Sequence, residues 1–112
     1  MNWTNLSETT QLEQTLKAMP EDVLIFKHSF RCSISVAIKN RLESTDLGNH
    51  YKLFMIDVVN SRSTSLYLAE KVDIQHESPQ VLLFRNGQCY YHASHFDITE
   101  HAILTANQAL TK

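Results

Sequence analysis

The sequence contains few of the residues that mark specialised classes of protein. Among its 112 residues are two cysteines, two glycines and two prolines, and its formal net charge is −2. Two cysteines far apart in the chain do not form a disulfide framework, and the scarcity of glycine and proline leaves no low-complexity linker. A slightly negative chain without a basic cluster gives no reason to expect a nucleic-acid partner.

Long apolar runs are missing as well. No apolar stretch approaches the ~20 residues that cross a bilayer, so no membrane partner is expected. Residues 1–8 have no positive region followed by an apolar block, and we therefore predict no secretory signal and a cytoplasmic location. Hydrophobic residues make up 43% and charged residues 20% of the chain, as in ordinary globular proteins, and the length predicts a single domain over residues 1–112.

Hydrophobic periodicity predicts helices and strands in the order α-β-α-β-α-β-β-α. The predicted strands are residues 23–26, 51–59, 80–84 and 88–94. One helix is predicted over residues 33–43, and three others are predicted to begin near Ser7, near Ser61 or Ser63, and at Asp97. Asn86-Gly87 is a strong signal for a type I′ hairpin between the last two strands. A helical crossover should make the first two strands parallel. Several α/β topologies fit this pattern, and we predict the thioredoxin-like one, an α/β domain whose four-stranded mixed sheet has helices on both faces.

Three of the predicted helices have an apolar side that should face the core. The residues on those sides are Leu12, Leu16 and Met19 (with a stop at Pro20), then Leu66, Ala69 and Val72, and finally Ile103, Ala106 and Leu110. Glu100 lies three residues after Asp97, a spacing that predicts a capping box at the start of the last helix.

The polar turn between the first predicted strand and the second helix carries the clearest chemical signal. It places Cys32 at a helix N-terminus, where unpaired N–H groups and the helix dipole favour a thiolate over a thiol. Arg31 adds a fixed positive charge with the same effect. The alternative is a buried, inert cysteine that packs as a small hydrophobic residue. The position and the neighbours favour a reactive one.

Ser35 stands where a dithiol oxidoreductase would carry a second, resolving cysteine. It shares a helix face with Cys32, and its hydroxyl could donate a hydrogen bond to the thiolate. Because serine cannot resolve a mixed disulfide, the pair predicts monothiol exchange, in which a second thiol or a reductase regenerates Cys32. Cys89 follows the hairpin turn, at the far end of the predicted sheet and on one face with Tyr91 and Ala93. We expect it to be structural.

Other candidates lie at the ends of the hairpin. Pro79 precedes its first strand, where thioredoxin-like folds carry a cis-proline, although only about 5–6% of X–Pro bonds are cis in general. A cis bond would let the Ser78 backbone pair with a bound thiol. The returning strand brings His95 and Asp97 near Cys32, so that His95 either contacts a ligand or is a solvated loop residue. Asp97 is expected to cap the last helix.

The histidines invite a metal interpretation, which the spacing does not favour. His92 and His95 alternate between the faces of a strand, and no zinc-binding motif is present. No metal is therefore expected. His28 and His76 flank the predicted site, where each is either a residue that tunes Cys32 or a structural one.

Four segments together resemble the monothiol bacilliredoxin family. They are residues 26–35 (Phe-Lys-His-Ser-Phe-Arg-Cys-Ser-Ile-Ser), residues 76–80 (His-Glu-Ser-Pro-Gln), Asn86-Gly87, and residues 92–99 (His-Ala-Ser-His-Phe-Asp-Ile-Thr). The resemblance implies a thioredoxin-like protein of the general-stress type that removes bacillithiol from protein mixed disulfides. The family has a proline directly after the cysteine. Here Ser33 replaces it and restores an N–H donor beside the sulfur.

The resemblance also implies a set of partners. S-thiolated client proteins, a low-molecular-weight thiol such as bacillithiol as co-substrate, and a recycling thiol or reductase are expected, with no bound cofactor. Bacillithiol carries a malate unit, so an anion site near His95 is sensible. Arg31, Ser33, Ser78, Pro79 and His95 are the predicted substrate-binding residues, and Cys32 and Ser35 the catalytic ones.

Two other functions stay open for this sequence. Cys32 from two chains could ligate an iron–sulfur cluster, as in monothiol glutaredoxins, although the glycine-rich loop of those proteins is missing here. Alternatively, the domain could bind partners or sense oxidants through Cys32 without turnover.

Overall fold

The computed structural model describes residues 1–18 and 22–111, arranged as a mixed sheet with helices on both faces. The strands are β1 (Thr4–Asn5), β2 (Val23–His28), β3 (Lys52–Asp57), β4 (Gln80–Arg85) and β5 (Gln88–Ser94). The helices are α1 (Thr9–Ala18), α2 (Ser33–Glu43), α3 (Arg62–Val72) and α4 (Glu100–Thr111), with short 3-10 turns at Leu47–Asn49 and His95–Asp97. The predicted helix stop at Met19 and Pro20 lies outside the described residues.

The strand order is β1-β3-β2-β4-β5, which confirms the predicted mixed sheet and corrects its strand number from four to five. Strands β1 and β2 are parallel to β3, whereas β4 is antiparallel to β2 and to β5. The additional strand β1 pairs Thr4 with Phe54 and Asn5 with Met55 at the sheet edge. Two residues are too few to show a strand periodicity in the sequence, so this strand was not predicted.

Strand β2 is central, and all six of its residues are buried. Leu24 and Phe26 pack on one face with residues of α2 and α4, and Val23 and Ile25 pack on the other with residues of α1 and α3. Because helices cover both faces, the strand appears in the sequence as a continuous apolar run. The strand continues two residues beyond the predicted end at Phe26, and this extension buries polar side chains.

Two helices orient differently from the prediction. On α3, Leu66 is 40% exposed, whereas Thr64, Ser65 and Leu68 are buried. Burial of Thr64 is possible because its hydroxyl donates to the Ser7 carbonyl at 2.9 Å. On α4, the predicted inward residue Leu110 is 42% exposed, since it lines an open groove between this helix and β5.

The last helix begins at Glu100, and the predicted Asp97 capping box is wrong. Asp97 lies in a 3-10 turn, and Ile98 after it is extended, so the helix cannot start there. Thr99 takes the capping role instead, because its hydroxyl oxygen accepts the N–H of Ala102 at 3.1 Å.

The hairpin turn has the predicted type I′ geometry, with φ of 54° at Asn86 and 77° at Gly87. The strand that follows contains a bulge: Phe84 pairs with Cys89 and Leu83 with Tyr91, which leaves Tyr90 as an extra residue. The bulge reverses the alternation, so Cys89 packs on the α1 and α3 face whereas Tyr91 packs on the other. The predicted common face for these two residues is therefore wrong.

We expect G87A to lower the free energy of unfolding by about 1–3 kcal/mol, because the residue has a positive φ and an added Cβ would lie 2.8 Å from the Leu16 carbonyl oxygen. Urea unfolding measures the change. G48A is the matched control, since its Cβ would meet only side-chain atoms at 3.4 Å or more. Its effect should stay below about 1 kcal/mol in either direction. Equal losses for the two variants would contradict this account.

Candidate active site

The turn after β2 places Cys32 at the start of α2, as predicted. Cys32 is the N-cap residue, with extended backbone angles (φ −104°, ψ 121°), and it is half-buried. Its N–H donates to the Ser29 carbonyl at 3.2 Å, and its own carbonyl accepts the N–H of Val36 at 3.0 Å. Cys32 therefore caps α2 through its backbone, and its side chain makes no capping hydrogen bond to the first turn of the helix.

The predicted site residues differ in their accessibility. Arg31, Ser33 and His95 are exposed, Ser78 is half-buried, and Ser35 and Pro79 are buried. Phe30, in the turn before Cys32, is 58% exposed although it is a large apolar residue. The exposed residues include both chain neighbours of Cys32, Arg31 and Ser33.

Ser35 does not contact the sulfur in the way predicted from its spacing. Its hydroxyl oxygen accepts the N–H of Ser29 at 3.0 Å and lies 2.6 Å from Nδ1 of His28. Within the described part of the chain, no hydrogen bond joins Ser35 to Cys32. The serine faces the sheet from the first turn of α2, so it anchors the cysteine turn instead of touching the thiol.

His28 lies fully buried beneath this turn. Its ring stacks on Phe26, with ring centroids 5.3 Å apart, and meets the ring of Phe30 edge-on at 4.2 Å. Burial, and then the charge of Lys39, lower the pKa of His28, so the ring is neutral at neutral pH. Its Nε2 is buried without a hydrogen-bond partner among the described residues. The turn that carries Cys32 therefore rests on an aromatic and histidine stack.

The hairpin ends meet the cysteine turn at one end of the sheet. The Ser78–Pro79 peptide bond is cis, as the fold hypothesis predicted. Lys27 pairs with Gln80, so Pro79 comes beside His28 in the antiparallel ladder, and the Pro79 carbonyl accepts the N–H of His95 at 2.9 Å. Ser78, Pro79 and His95 are thus brought to the end of the sheet where Cys32 lies.

Arg41 was not predicted as part of the site, yet it holds the His95–Asp97 turn. From α2, its guanidinium donates to the carbonyls of Phe96 at 3.1 Å and Ile98 at 2.9 Å, and lies 5.9 Å from the centroid of the Phe96 ring. His95 has a positive φ of 56° in this turn. The only signal in the sequence is a basic residue in the last turn of a helix.

Lys27 was assigned to a polar turn in the sequence, but it is a buried strand residue. Its side chain has no exposed surface, and Nζ donates to the Ser65 carbonyl at 2.9 Å and lies 3.2 Å from Nδ1 of His76. Burial lowers the pKa of Lys27 to about 8. In the sequence, a lysine after four apolar residues is consistent either with the end of a strand or with a strand that continues. The structure shows that the strand continues to His28, which buries Lys27.

Cys89 lies near the hairpin turn, at the other end of the sheet from Cys32. It packs against the core cluster that contains Phe84, and burial raises the pKa of its thiol. Its Sγ lies 3.5 Å from the Tyr91 carbonyl oxygen. Residues 1–18 and 22–111 contain no group of three or more histidine, cysteine or acidic side chains arranged for a metal. None of the helices in these ranges is long and apolar enough to cross a membrane.

Residues 4–103 match the family described as monothiol bacilliredoxin BrxC. The chain belongs to the monothiol bacilliredoxin family. A solved structure of a candidate oxidoreductase with a thioredoxin fold is 29% identical, with a TM-score of 0.84, and the match covers 93% of this chain and 92% of that one. The match therefore extends over nearly the whole of both chains.

Two thioredoxins share the fold at lower identity. The thioredoxin of Malassezia sympodialis is 18% identical with a TM-score of 0.71, covering 96% of this chain and 90% of that one. The thioredoxin of Trypanosoma brucei brucei is 11% identical with a TM-score of 0.77, covering 98% and 91%. These two matches show the thioredoxin fold. The family match and the 29% identical oxidoreductase support a thiol redox role for this bacilliredoxin.

We expect S35A to lower the free energy of unfolding by about 1–3 kcal/mol, because it leaves the buried His28 Nδ1 and the Ser29 N–H without a partner. Urea unfolding measures the loss. The matched control is S33A, an exposed serine in the same helical turn, which should change stability by less than about 0.5 kcal/mol. If S35A is as stable as S33A, the buried anchoring role assigned to Ser35 is wrong.

The burial of Lys27 predicts a pH-dependent stability. Its pKa is about 8 in the folded chain, against about 10.4 in an unfolded one. Between these values the unfolded chain holds a proton that the folded chain has released, so the lysine makes the free energy of unfolding rise with pH. In urea titrations, the free energy of unfolding of wild type minus that of K27M should therefore rise from about pH 8 to about pH 10.

K71M is the control for this titration. Lys71 is exposed, and its hydrogen bond to Glu13 raises its pKa, so it stays protonated through the same pH range. The difference between wild type and K71M should therefore be flat. If the difference between wild type and K27M also stays constant over this pH range, the assignment of Lys27 as a buried lysine with a lowered pKa is wrong.

Proposed function

We propose that this protein is a monothiol disulfide oxidoreductase that reduces mixed disulfides between client proteins and a low-molecular-weight thiol such as bacillithiol. The observation that carries the proposal is the isolation of Cys32. It lies at a helix N-terminus, Ser35 occupies the position of a resolving cysteine, and the half-buried Cys89 packs against the core cluster near the hairpin turn, at the other end of the sheet. An internal disulfide is out of reach, so exchange must proceed through one sulfur.

The proposed reaction has two exchange steps. The Cys32 thiolate attacks the sulfur of the small thiol, a new S–S bond forms, and the client cysteine leaves as a thiolate that takes a proton from solvent. The client is reduced and Cys32 is oxidised to a mixed disulfide. A second small thiol then attacks this disulfide, regenerates Cys32 and leaves as the symmetric disulfide, unless a partner reductase performs this step.

Several groups around Cys32 suit such a substrate. The side chains of Arg31 and Ser33 are exposed on either side of the sulfur, and an anionic group on the small thiol would gain from the arginine and from the free N–H groups of α2. The backbone of Ser78, two residues before β4, offers an edge for an extended client segment. The N–H of His95 is already bonded to Pro79, so His95 would contact a ligand only through its side chain.

A reducing compartment fits the proposed reaction. Monothiol exchange of this kind depends on a pool of free small thiol, and a cytoplasmic location would supply it. The client proteins would be those that carry the same small thiol on an accessible cysteine.

The experiment that tests the proposal is incubation with bacillithiol disulfide and, separately, glutathione disulfide, with the adduct measured by intact mass. Wild type and C89S should each gain one small-thiol adduct, and C32S should gain none. Cys32 should also react faster than Cys89 with an alkylating probe at neutral pH, since burial raises the pKa of Cys89.

Two results would contradict the proposal. An equal adduct on C32S would mean that the sulfur is misassigned. If wild type forms no adduct with either disulfide, a binding or redox-sensing module is the better account, and a brown colour under anaerobic conditions would instead indicate an iron–sulfur carrier.

A further inference from the structure

The buried ammonium of Lys27 determines the state of a histidine at the rim of the site. A lysine ammonium has donors but no acceptor, so the 3.2 Å contact with His76 requires Nδ1 to accept. His76 must then be neutral, with its proton on Nε2. Burial, and then the charge of Lys27, lower the pKa of His76, in agreement with a neutral ring. Lysine 27 itself is mostly charged at neutral pH, because its pKa is about 8.

The contact with Lys27 also decides where the Nε2–H group points. His76 is half-buried, and its Nδ1 is held from the core side by Lys27 and lies 3.3 Å from the Ser65 hydroxyl. Nε2 is on a different edge of the ring, and it is not among the buried polar atoms that lack a partner. The ring therefore keeps an N–H donor that is not completely buried and that makes no hydrogen bond to the described residues.

This donor belongs to the segment that reaches the Cys32 site. The segment from Gln75 to Pro79 is fixed at its start, where the Gln80 amide donates to the Gln75 carbonyl at 3.1 Å, and at its end, where Pro79 accepts the His95 N–H. Lys27 holds the part between these two points through His76. The same segment contains the cis bond beside His28, directly below the cysteine turn.

The charges around His76 favour an anion. Lys27 on β2 and Arg62 on α3 both act on the ring as positive charges, and Glu77, the next residue along the loop, opposes them. An N–H donor in a net positive field is suited to a carboxylate.

We propose that Lys27 is a positioning residue that holds His76 as the Nε2–H tautomer, and that this N–H binds a carboxylate of the small thiol attached to Cys32 or approaching it. The proposal rests on the proposed thiol exchange and assigns the residues that recognise the thiol. No covalent step is added, because His76 acts through a hydrogen bond.

The test compares two symmetric disulfides that differ in charge: dithiodipropionate, which carries carboxylates, and bis(hydroxyethyl) disulfide, which is uncharged. The measured quantity is the rate of Cys32 adduct formation by intact mass, expressed as the ratio of the carboxylate probe to the neutral probe. In wild type the ratio should favour the carboxylate probe. In K27M and H76L this ratio should fall about tenfold, the usual effect of one hydrogen bond to a charged group, and taking the ratio corrects for any change that the variants cause in the reactivity of Cys32 itself.

Matched variants separate recognition from damage to the fold. H76Q keeps a side-chain N–H donor and should retain most of the wild-type ratio, and K71M removes an exposed lysine and should leave it unchanged. A parallel measurement needs no variant: long-range ¹H–¹⁵N NMR spectra of the wild-type histidine rings should show His76 protonated on Nε2 alone at neutral pH. In K27M, the pKa of His76 should rise.

Each failure has a distinct signature. If wild type reacts with neither probe, the proposed exchange function fails, and the recognition role falls with it. If wild type reacts with both probes but K27M and H76L keep the full ratio, exchange stands and the role of Lys27 and His76 is overturned. A wild-type His76 protonated on Nδ1 would overturn the tautomer assignment by itself.

Discussion

Complete burial of the central strand is the constraint on which the rest of this structure depends. β2 has neighbours on both edges and helices over both faces, so every side chain along it enters a core. Four of its residues are apolar and fill that space directly. The last two, Lys27 and His28, are polar, and a buried polar group must find partners because leaving it unpaired is costly. Those partners lie in the segments that form the site.

The side chains of Lys27 and His28 point to opposite faces of the sheet, and each one binds a different segment of the site. His28 faces α2, where the Ser35 hydroxyl joins it to the turn that presents Cys32. Lys27 faces α3, where it binds the Ser65 carbonyl and the ring of His76. The end of a single strand thus fixes both the cysteine turn and the segment that leads to Pro79. A shift of the strand would therefore move both segments together.

The sequence predicted those features that arise from local pattern. The parallel strands, the type I′ hairpin at Asn86-Gly87 and the place of Cys32 at a helix start follow from periodicity and turn chemistry, which act over a few residues. The cis bond before Pro79 required the fold hypothesis as well, because local preference opposes it. The resemblance to bacilliredoxins rested on spaced motifs, and the family match over residues 4–103 agrees with it.

The features that were missed depend on partners distant in sequence. Lys27 and His28 were assigned to a turn because polar residues usually end a strand, and only Ser65, His76 and Ser35 make their burial possible. Thr64 and Ser65 replace Leu66 on the buried side of α3 for the same reason. The bulge at Tyr90 leaves no mark in the pattern of Gln88–Ser94, yet it changes which face every earlier residue of that strand occupies.

That single extra residue in β5 has a consequence for stoichiometry. The bulge turns Cys89 towards the α1 and α3 face near the hairpin turn, at the other end of the sheet from Cys32, so the two thiols are not placed to form an internal disulfide. In the proposed exchange, each molecule would then hold one small-thiol adduct on Cys32 and pass it to another molecule before accepting the next. Under the proposed function, the rate at which mixed disulfides are removed would therefore depend on the copy number of the protein and on the supply of free small thiol.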